Sequence, residues 1–184
     1  DVAGKSALIM GFGRIGQRVG ALCRALGLRV AAFDPYMERS PVEGVEMVKD
    51  FRAILPETDF LCLHLPSTPE TRDLIGAGEL ALLKRGAFVL NCARGGIVDE
   101  DVLCDALESG HVGGAGLDVF AKEPPDTAHR LFRQEKVLLS PHNAALTEEC
   151  AIRMATQAVQ NVLDCLDGKL QPRVVMNRRE IGMA

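Results

Sequence analysis

The sequence predicts an α/β fold, a doubly wound parallel sheet with flanking helices, and three observations carry that expectation. Short apolar runs alternate with stretches of helical periodicity. The first run opens directly into a glycine-rich turn. The polar residues capable of chemistry gather at the ends of the runs rather than inside them.

Taken in order, Ser6-Ala7-Leu8-Ile9-Met10 is apolar enough for a buried parallel strand and runs into Gly11-Phe12-Gly13-Arg14-Ile15-Gly16. Val19, Leu22, Cys23 and Leu26 then recur at helical spacing, Gly27 ends the helix, and Arg29 to Phe33 is a second strand finishing at Asp34. Within this βαβ frame Gly11 permits the tight turn, Gly13 lets a pyrophosphate approach the backbone, and Gly16 lets helix and strand pack closely. The N–H groups around Arg14 and Ile15 would face the phosphates. An acidic residue about 20 positions further on takes the ribose hydroxyls in such units and repels a 2′-phosphate. Asp34 fills that position and predicts NAD rather than NADP, with Arg39 the one nearby residue that could favour a phosphate.

Val45-Glu46-Met47 is expected as an edge strand and Asp50 to Leu55 as a short helix before Pro56. Phe60 to Leu63 is the next strand. The loop His64-Leu65-Pro66 that follows should line the cofactor, with His64 itself a hydrogen-bonded loop histidine. Gly78 to Leu83 fits a helix and Ala87 to Leu90 a strand. Asp99, Glu100 and Asp101 open a helix with favourable charge, its core face being Val102, Leu103, Ala106 and Leu107. Ala115 to Leu117 and Val137 to Leu139 are the last strands. A helical pattern runs from Thr147 to Gly168, and the tail from Lys169 is expected to be partly ordered at best. The predicted division is therefore a dinucleotide-binding domain over 1–168, closed by that helix, and a C-terminal tail over 169–184.

Composition narrows the functional classes. At 184 residues, 47% hydrophobic and 25% charged, the chain can build one proper core. A net charge of -4 offers no electrostatic reason to expect nucleic acid or an anionic membrane. No apolar run approaches membrane-spanning length, and the start lacks a signal-peptide pattern. The six cysteines are scattered singly, which predicts reduced, mostly buried thiols in a cytoplasmic protein and no metal site.

The chemistry centres on Asn91-Cys92-Ala93-Arg94-Gly95-Gly96-Ile97-Val98-Asp99-Glu100, which sets one arginine on a glycine turn beyond a strand. A buried or half-buried guanidinium there presents a fork of donors to a carboxylate or a carbonyl. Glu123, before Pro124, and His142, in Ser140-Pro141-His142-Asn143, lie beyond two further strand ends. A histidine at the edge that holds a dinucleotide can give a proton to an oxygen as hydride arrives, and a neighbouring carboxylate would orient its ring. Arg94, Glu123 and His142 together suit hydride transfer between a nicotinamide and a 2-oxo acid. Each also has a plain alternative: a loop arginine, a turn carboxylate and a histidine bonded to backbone.

These stretches, with Gly116-Leu117-Asp118-Val119-Phe120, resemble the D-isomer-specific 2-hydroxyacid dehydrogenase family, and the arginine stretch is most similar to its phosphoglycerate dehydrogenase branch. The resemblance implies a Rossmann cofactor domain and Arg94, Glu123 and His142 as catalytic arginine, glutamate and histidine. It implies Arg14 and Ile15 at the pyrophosphate, Asp34 at the ribose, and Leu65, Cys92 and Asp118 on the nicotinamide side, with Ala93 and Ala144 also among the cofactor-binding residues. It further implies a homodimer formed through the cofactor domain. Family members carry a substrate domain ahead of this region, so these residues are expected to lack one wall of the substrate pocket and not to turn over alone. The family's corepressor branch, which senses NADH and assembles with protein partners, keeps the same triad and is the alternative reading.

Overall fold

The apolar runs become the strands of one sheet. In the computed structural model, which describes residues 1–178 and 180–182, β1 (Ser6–Met10), β2 (Arg29–Phe33), β3 (Val45–Met47), β4 (Phe60–Leu63), β5 (Ala87–Asn91), β6 (Val112–Leu117) and β7 (Val137–Leu139) pair in the order β3-β2-β1-β4-β5-β6-β7. Every pairing is parallel. The direction of travel reverses between β1 and β4, where Ala7 faces Phe60 and Met10 faces Leu63. A reversal of this kind opens a crevice at the carboxyl ends of the two strands.

Strand periodicity divides the core into two. Ala7 and Ile9 pack with Phe12, Leu28 and Val30, and against this cluster α1 (Arg14–Ala25) lays Val19 and Cys23. Leu8 and Met10 point the other way, into a larger cluster with Leu61, Leu63, Leu80, Leu103 and Leu107. That cluster takes in α2 (Ala77–Leu82) and α3 (Glu100–Glu108). Helices on both faces of a parallel sheet give the Rossmann-like, doubly wound architecture that the sequence predicts.

Several elements differ from expectation for local reasons. The face that α1 buries is made by Gly16 and Gly20, whereas Leu22 and Leu26 are exposed, because glycines let the helix sit close to the sheet. Asp50 to Leu55 is not an α-helix. Its bonds run from Ile54 N to Phe51 O and from Leu55 N to Arg52 O, three residues apart, and a 3-10 turn at Leu55–Glu57 contains Pro56. Proline lacks the donor that an α-helix would need at this point and disfavours α geometry in the residue before it. β6 begins at Val112, earlier than expected, because Gly113 and Gly114 hide its strand pattern. The thiols are less buried than composition suggests: Cys62 and Cys104 are buried, Cys23 and Cys150 half-buried, and Cys92 and Cys165 exposed.

The chain divides into two compact units, Asp1–His142 and Asn143–Ala184. The first holds the whole sheet. The second contains α4 (Glu148–Leu166), capped by Thr147, whose Oγ1 accepts the Cys150 N–H at 3.2 Å, and a 3-10 turn at Pro172–Val174. Within the predicted tail, Arg179, Met183 and Ala184 lie outside the described residues. Among the described residues no helix is long and apolar enough to cross a membrane.

Candidate functional site

The glycine turn is held by contacts that leave no room for side chains. Gly11 has φ +86°, and a Cβ on it would come within 2.5 Å of the His64 carbonyl oxygen. A Cβ on Gly16 would stand 2.1 Å from the Gly11 oxygen. The turn is thus pressed between the end of β4 and the first turn of α1. Gly13 differs: it is the N-cap of α1, makes no side-chain cap, and a Cβ there would meet nothing within 4 Å. The first N–H groups of a helix lack partners inside it, and this first turn carries no acidic residue. Arg14 and Ile15, both exposed, therefore offer donors to open space, the setting in which a pyrophosphate fits.

Asp34 stands where β2 ends. Its Oδ2 accepts the Phe12 N–H at 2.9 Å and its Oδ1 accepts the Tyr36 N–H at 3.0 Å. The carboxylate ties the glycine turn to β2 and also starts the turn at Pro35. Each oxygen keeps a lone pair for a ribose hydroxyl.

Across the crevice, a cleft of about 360 Å³ is lined by Ile15, His64, Leu65, Pro66, Ser67, Cys92, Ala93 and Arg94. Residues expected on the cofactor side from three separate loops therefore meet in one hollow. Arg94 is exposed rather than half-buried, and its Nη1 donates to the Ala93 carbonyl at 2.6 Å. The turn beneath it is firm, because buried Asn91 accepts the Ala93 N–H at 3.1 Å and donates to the Arg94 carbonyl at 2.9 Å. Burial lowers the pKa of His64, favouring its neutral form, and its buried Nε2 has no hydrogen-bond partner among the described residues. Burial, and then the Asp118 carboxylate, raise the Cys92 thiol, so it stays protonated near neutral pH.

Glu123 and His142 meet beyond the ends of β6 and β7. His142 Nδ1 lies 2.8 Å from Glu123 Oε2, while Glu123 Oε1 accepts the Phe120 N–H at 3.1 Å. The bond from His142 and then that from Phe120 hold the Glu123 carboxyl below its ordinary range. His142 adopts φ +53°, a left-handed conformation that histidine enters more readily than most residues. The pair borders a second hollow of about 330 Å³, walled mainly by Phe120, Pro124, Pro125, Phe132 and Leu139. Phe120 and Phe132 stack with centroids 5.9 Å apart. Asp118, buried at the end of β6, accepts a bond from Ser140 Oγ at 2.5 Å. Arg94 lines the first hollow and not the second, and Ala144 belongs to the second compact unit.

Sequence reasoning missed the braces. Glu100 Oε1 accepts the Ala121 N–H, Gly95 packs against the Phe120 carbonyl and Ser140 donates to Asp118, and nothing in their spacing signals a partner remote in sequence; Asn91 braces its own turn locally. Among the described residues no cluster of His, Cys, Asp and Glu is arranged to hold a metal ion.

Comparison with known proteins adds a lineage to this geometry. The family model described as "D-isomer specific 2-hydroxyacid dehydrogenase, NAD binding domain" matches residues 1–144. A D-3-phosphoglycerate dehydrogenase of Methanocaldococcus jannaschii is 39% identical over 177 residues, covering 95% of this chain and 34% of that protein. A glyoxylate reductase of Aeropyrum pernix is 40% identical over 180 residues, covering 95% of this chain and 52% of that protein. The crystal structure of D-lactate dehydrogenase with NAD+ from Lactobacillus jensenii superposes with a TM-score of 0.83 at 29% identity, over 90% of this chain and 53% of that one. The chain thus spans between a third and about half the length of these relatives.

Proposed function

Because the chain belongs to the D-isomer specific 2-hydroxyacid dehydrogenase family, as its NAD-binding domain, we propose that it is the cofactor-binding and catalytic-residue half of an oxidoreductase that interconverts D-2-hydroxyacids and 2-oxoacids. The dinucleotide-binding part spans 1–168, with α4 as its closing helix and 169–184 as a C-terminal tail. Substrates named for its relatives, 3-phosphoglycerate and glyoxylate, and the related hydroxypyruvate are the compounds to try first. A homodimer through this domain and a cytoplasmic location complete the reading.

The observation that carries the proposal is the 2.8 Å contact between His142 and Glu123 beyond the carboxyl edge of the sheet. Bound NAD supplies the hydride acceptor. An ionised Glu123 on the Nδ1 side selects the tautomer with its proton there, which leaves Nε2 to exchange a proton with the substrate oxygen. Arg94 needs only to release the Ala93 carbonyl to grip the substrate carboxylate with its guanidinium fork. Gly13 and the start of α1 receive the pyrophosphate, Asp34 the ribose, and Leu65, Pro66, Cys92 and Ala93 the nicotinamide side.

A titration with NADH and NADPH, read by nicotinamide fluorescence, tests the cofactor half. Hydroxypyruvate-dependent NADH oxidation by the intact protein, wild type against His142→Asn, tests the chemistry. NADH-selective binding with oxidation that disappears in the variant is the expected result. Oxidation that survives His142→Asn would overturn the assignment of His142.

A further inference from the structure

We propose that Glu100 is a positioning residue for the reaction, holding the Glu123–His142 pair in register with Arg94. The inference rests on the functional reading above and concerns one peptide group, Phe120–Ala121. Its N–H is taken by Glu100 Oε1, which lies 2.6 Å from Ala121 N. Its carbonyl is abutted by Gly95, where a Cβ would fall 1.8 Å from the Phe120 oxygen. The preceding N–H, of Phe120, is bonded by Glu123 itself. The peptide is therefore fixed from one side by the arginine turn and the start of α3, and from the other by the glutamate that orients His142.

Glu100 is well placed for the task. It opens α3 behind Asp99, whose Oδ1 already accepts the N–H groups of Asp101 and Val102, both at 3.1 Å. Asp99 supplies the side-chain cap without Glu100, whose side chain instead reaches the neighbouring loop. A carboxylate bonded to a backbone N–H makes a stronger contact than a neutral acceptor, which suits a brace between segments far apart in sequence.

The experiment uses the intact protein with Glu100→Ala and Glu100→Gln. Displacing a catalytic group by about 1 Å costs up to about a hundredfold in rate. Glu100→Ala is therefore expected to lower kcat by about tenfold or more, with NADH affinity unchanged, and Glu100→Gln, which retains an acceptor oxygen, to restore most of it. A second readout does not need turnover: the 15N chemical shift of His142 Nδ1 moves in Glu100→Ala and returns toward wild type in Glu100→Gln. A shift and kcat both unmoved by Glu100→Ala overturn the proposal, as does a kcat loss matched by an equal loss of NADH affinity. If the wild type fails to oxidise NADH in the presence of any 2-oxoacid tried while the His142 shift still responds to Glu100→Ala, the functional reading fails and the brace stands.

Discussion

Gly95 faces the carbonyl of Phe120 so closely that its α-carbon has room for hydrogen alone; a Cβ would lie 1.8 Å from that oxygen and 2.7 Å from Ala121 N. Backbone atoms, unlike a flexible side chain, cannot swing aside. Gly95→Ala is expected to destabilise the fold by about 1–3 kcal/mol, the usual range for overpacking. Urea unfolding checks this, with a lower midpoint at an unchanged slope as the expected outcome.

Two glycines of the nucleotide turn should separate binding from stability. Gly13→Ala adds a methyl to open space and lowers the urea midpoint only by the modest cost of alanine at an N-cap, but obstructs the pyrophosphate and weakens NADH binding by about tenfold, or about 1.4 kcal/mol. Gly16→Ala instead drives a methyl to within 2.1 Å of the Gly11 oxygen and lowers the midpoint itself. Equal effects of the two substitutions on folding would contradict this division of roles.

Glu123→Gln keeps the shape of the side chain and removes its charge. The neutral amide stabilises a protonated His142 less well, so kcat for 2-oxoacid reduction should fall by about a hundredfold or more while NADH affinity holds. The pH dependence has a definite sign. The folded-state pKa of Glu123 is lowered, first by the bond from His142, so this carboxylate contributes stability above its unfolded value of about 4.5 and loses it as pH falls through the lower folded value. Acid titration of the Glu123 carboxyl carbon by NMR should place its midpoint below 4.5 in the wild type. In His142→Asn the midpoint should move upward.

At the opposite end of the strands, Asp59 joins Ser6 at the start of β1 to Lys84 before β5. Burial acts to raise its pKa, but the Lys84 ammonium at 2.6 Å and the N–H and hydroxyl of Ser6 outweigh it and hold the group at about 2, against an ordinary 3.8. A depressed carboxylate stabilises the fold above its unfolded pKa, and that contribution disappears as pH falls from about 4 toward 2. Lys84→Met should shift the acid-unfolding transition to higher pH, measured by circular dichroism. No shift would mean that the ion pair contributes nothing to the fold.

What could be read in advance follows from where the determining contacts lie along the chain. The βαβ frame with its glycine turn is legible because apolar runs, turn glycines and the closing Asp34 are local features at fixed offsets. Arg94, Glu123 and His142 are legible as candidates because polar residues at strand ends stand out against apolar neighbours. The orientation of Arg94 toward the Ala93 carbonyl is not, since it depends on a contact with its own backbone rather than on residue type. The brace from Glu100 to Ala121 is equally hidden, because a first-turn glutamate reads as a helix-dipole charge whatever else it touches. Glycine misleads in both directions: it obscures the first half of β6, and it forms the inner face of α1 where leucines were expected.

The two backbone bonds of Asp34 have a consequence for how cofactor preference can change. A carboxylate that excluded a 2′-phosphate only by its charge could be exchanged for a small polar residue with no other effect. Here the same oxygens anchor Phe12 and Tyr36, so, given the cofactor role proposed for Asp34, a substitution that removes both acceptors also unfastens the loop between β1 and α1. On that proposed role, selectivity and loop order rest on one side chain, and an exchange at this position that lost both acceptors would need a second change to re-tether the turn.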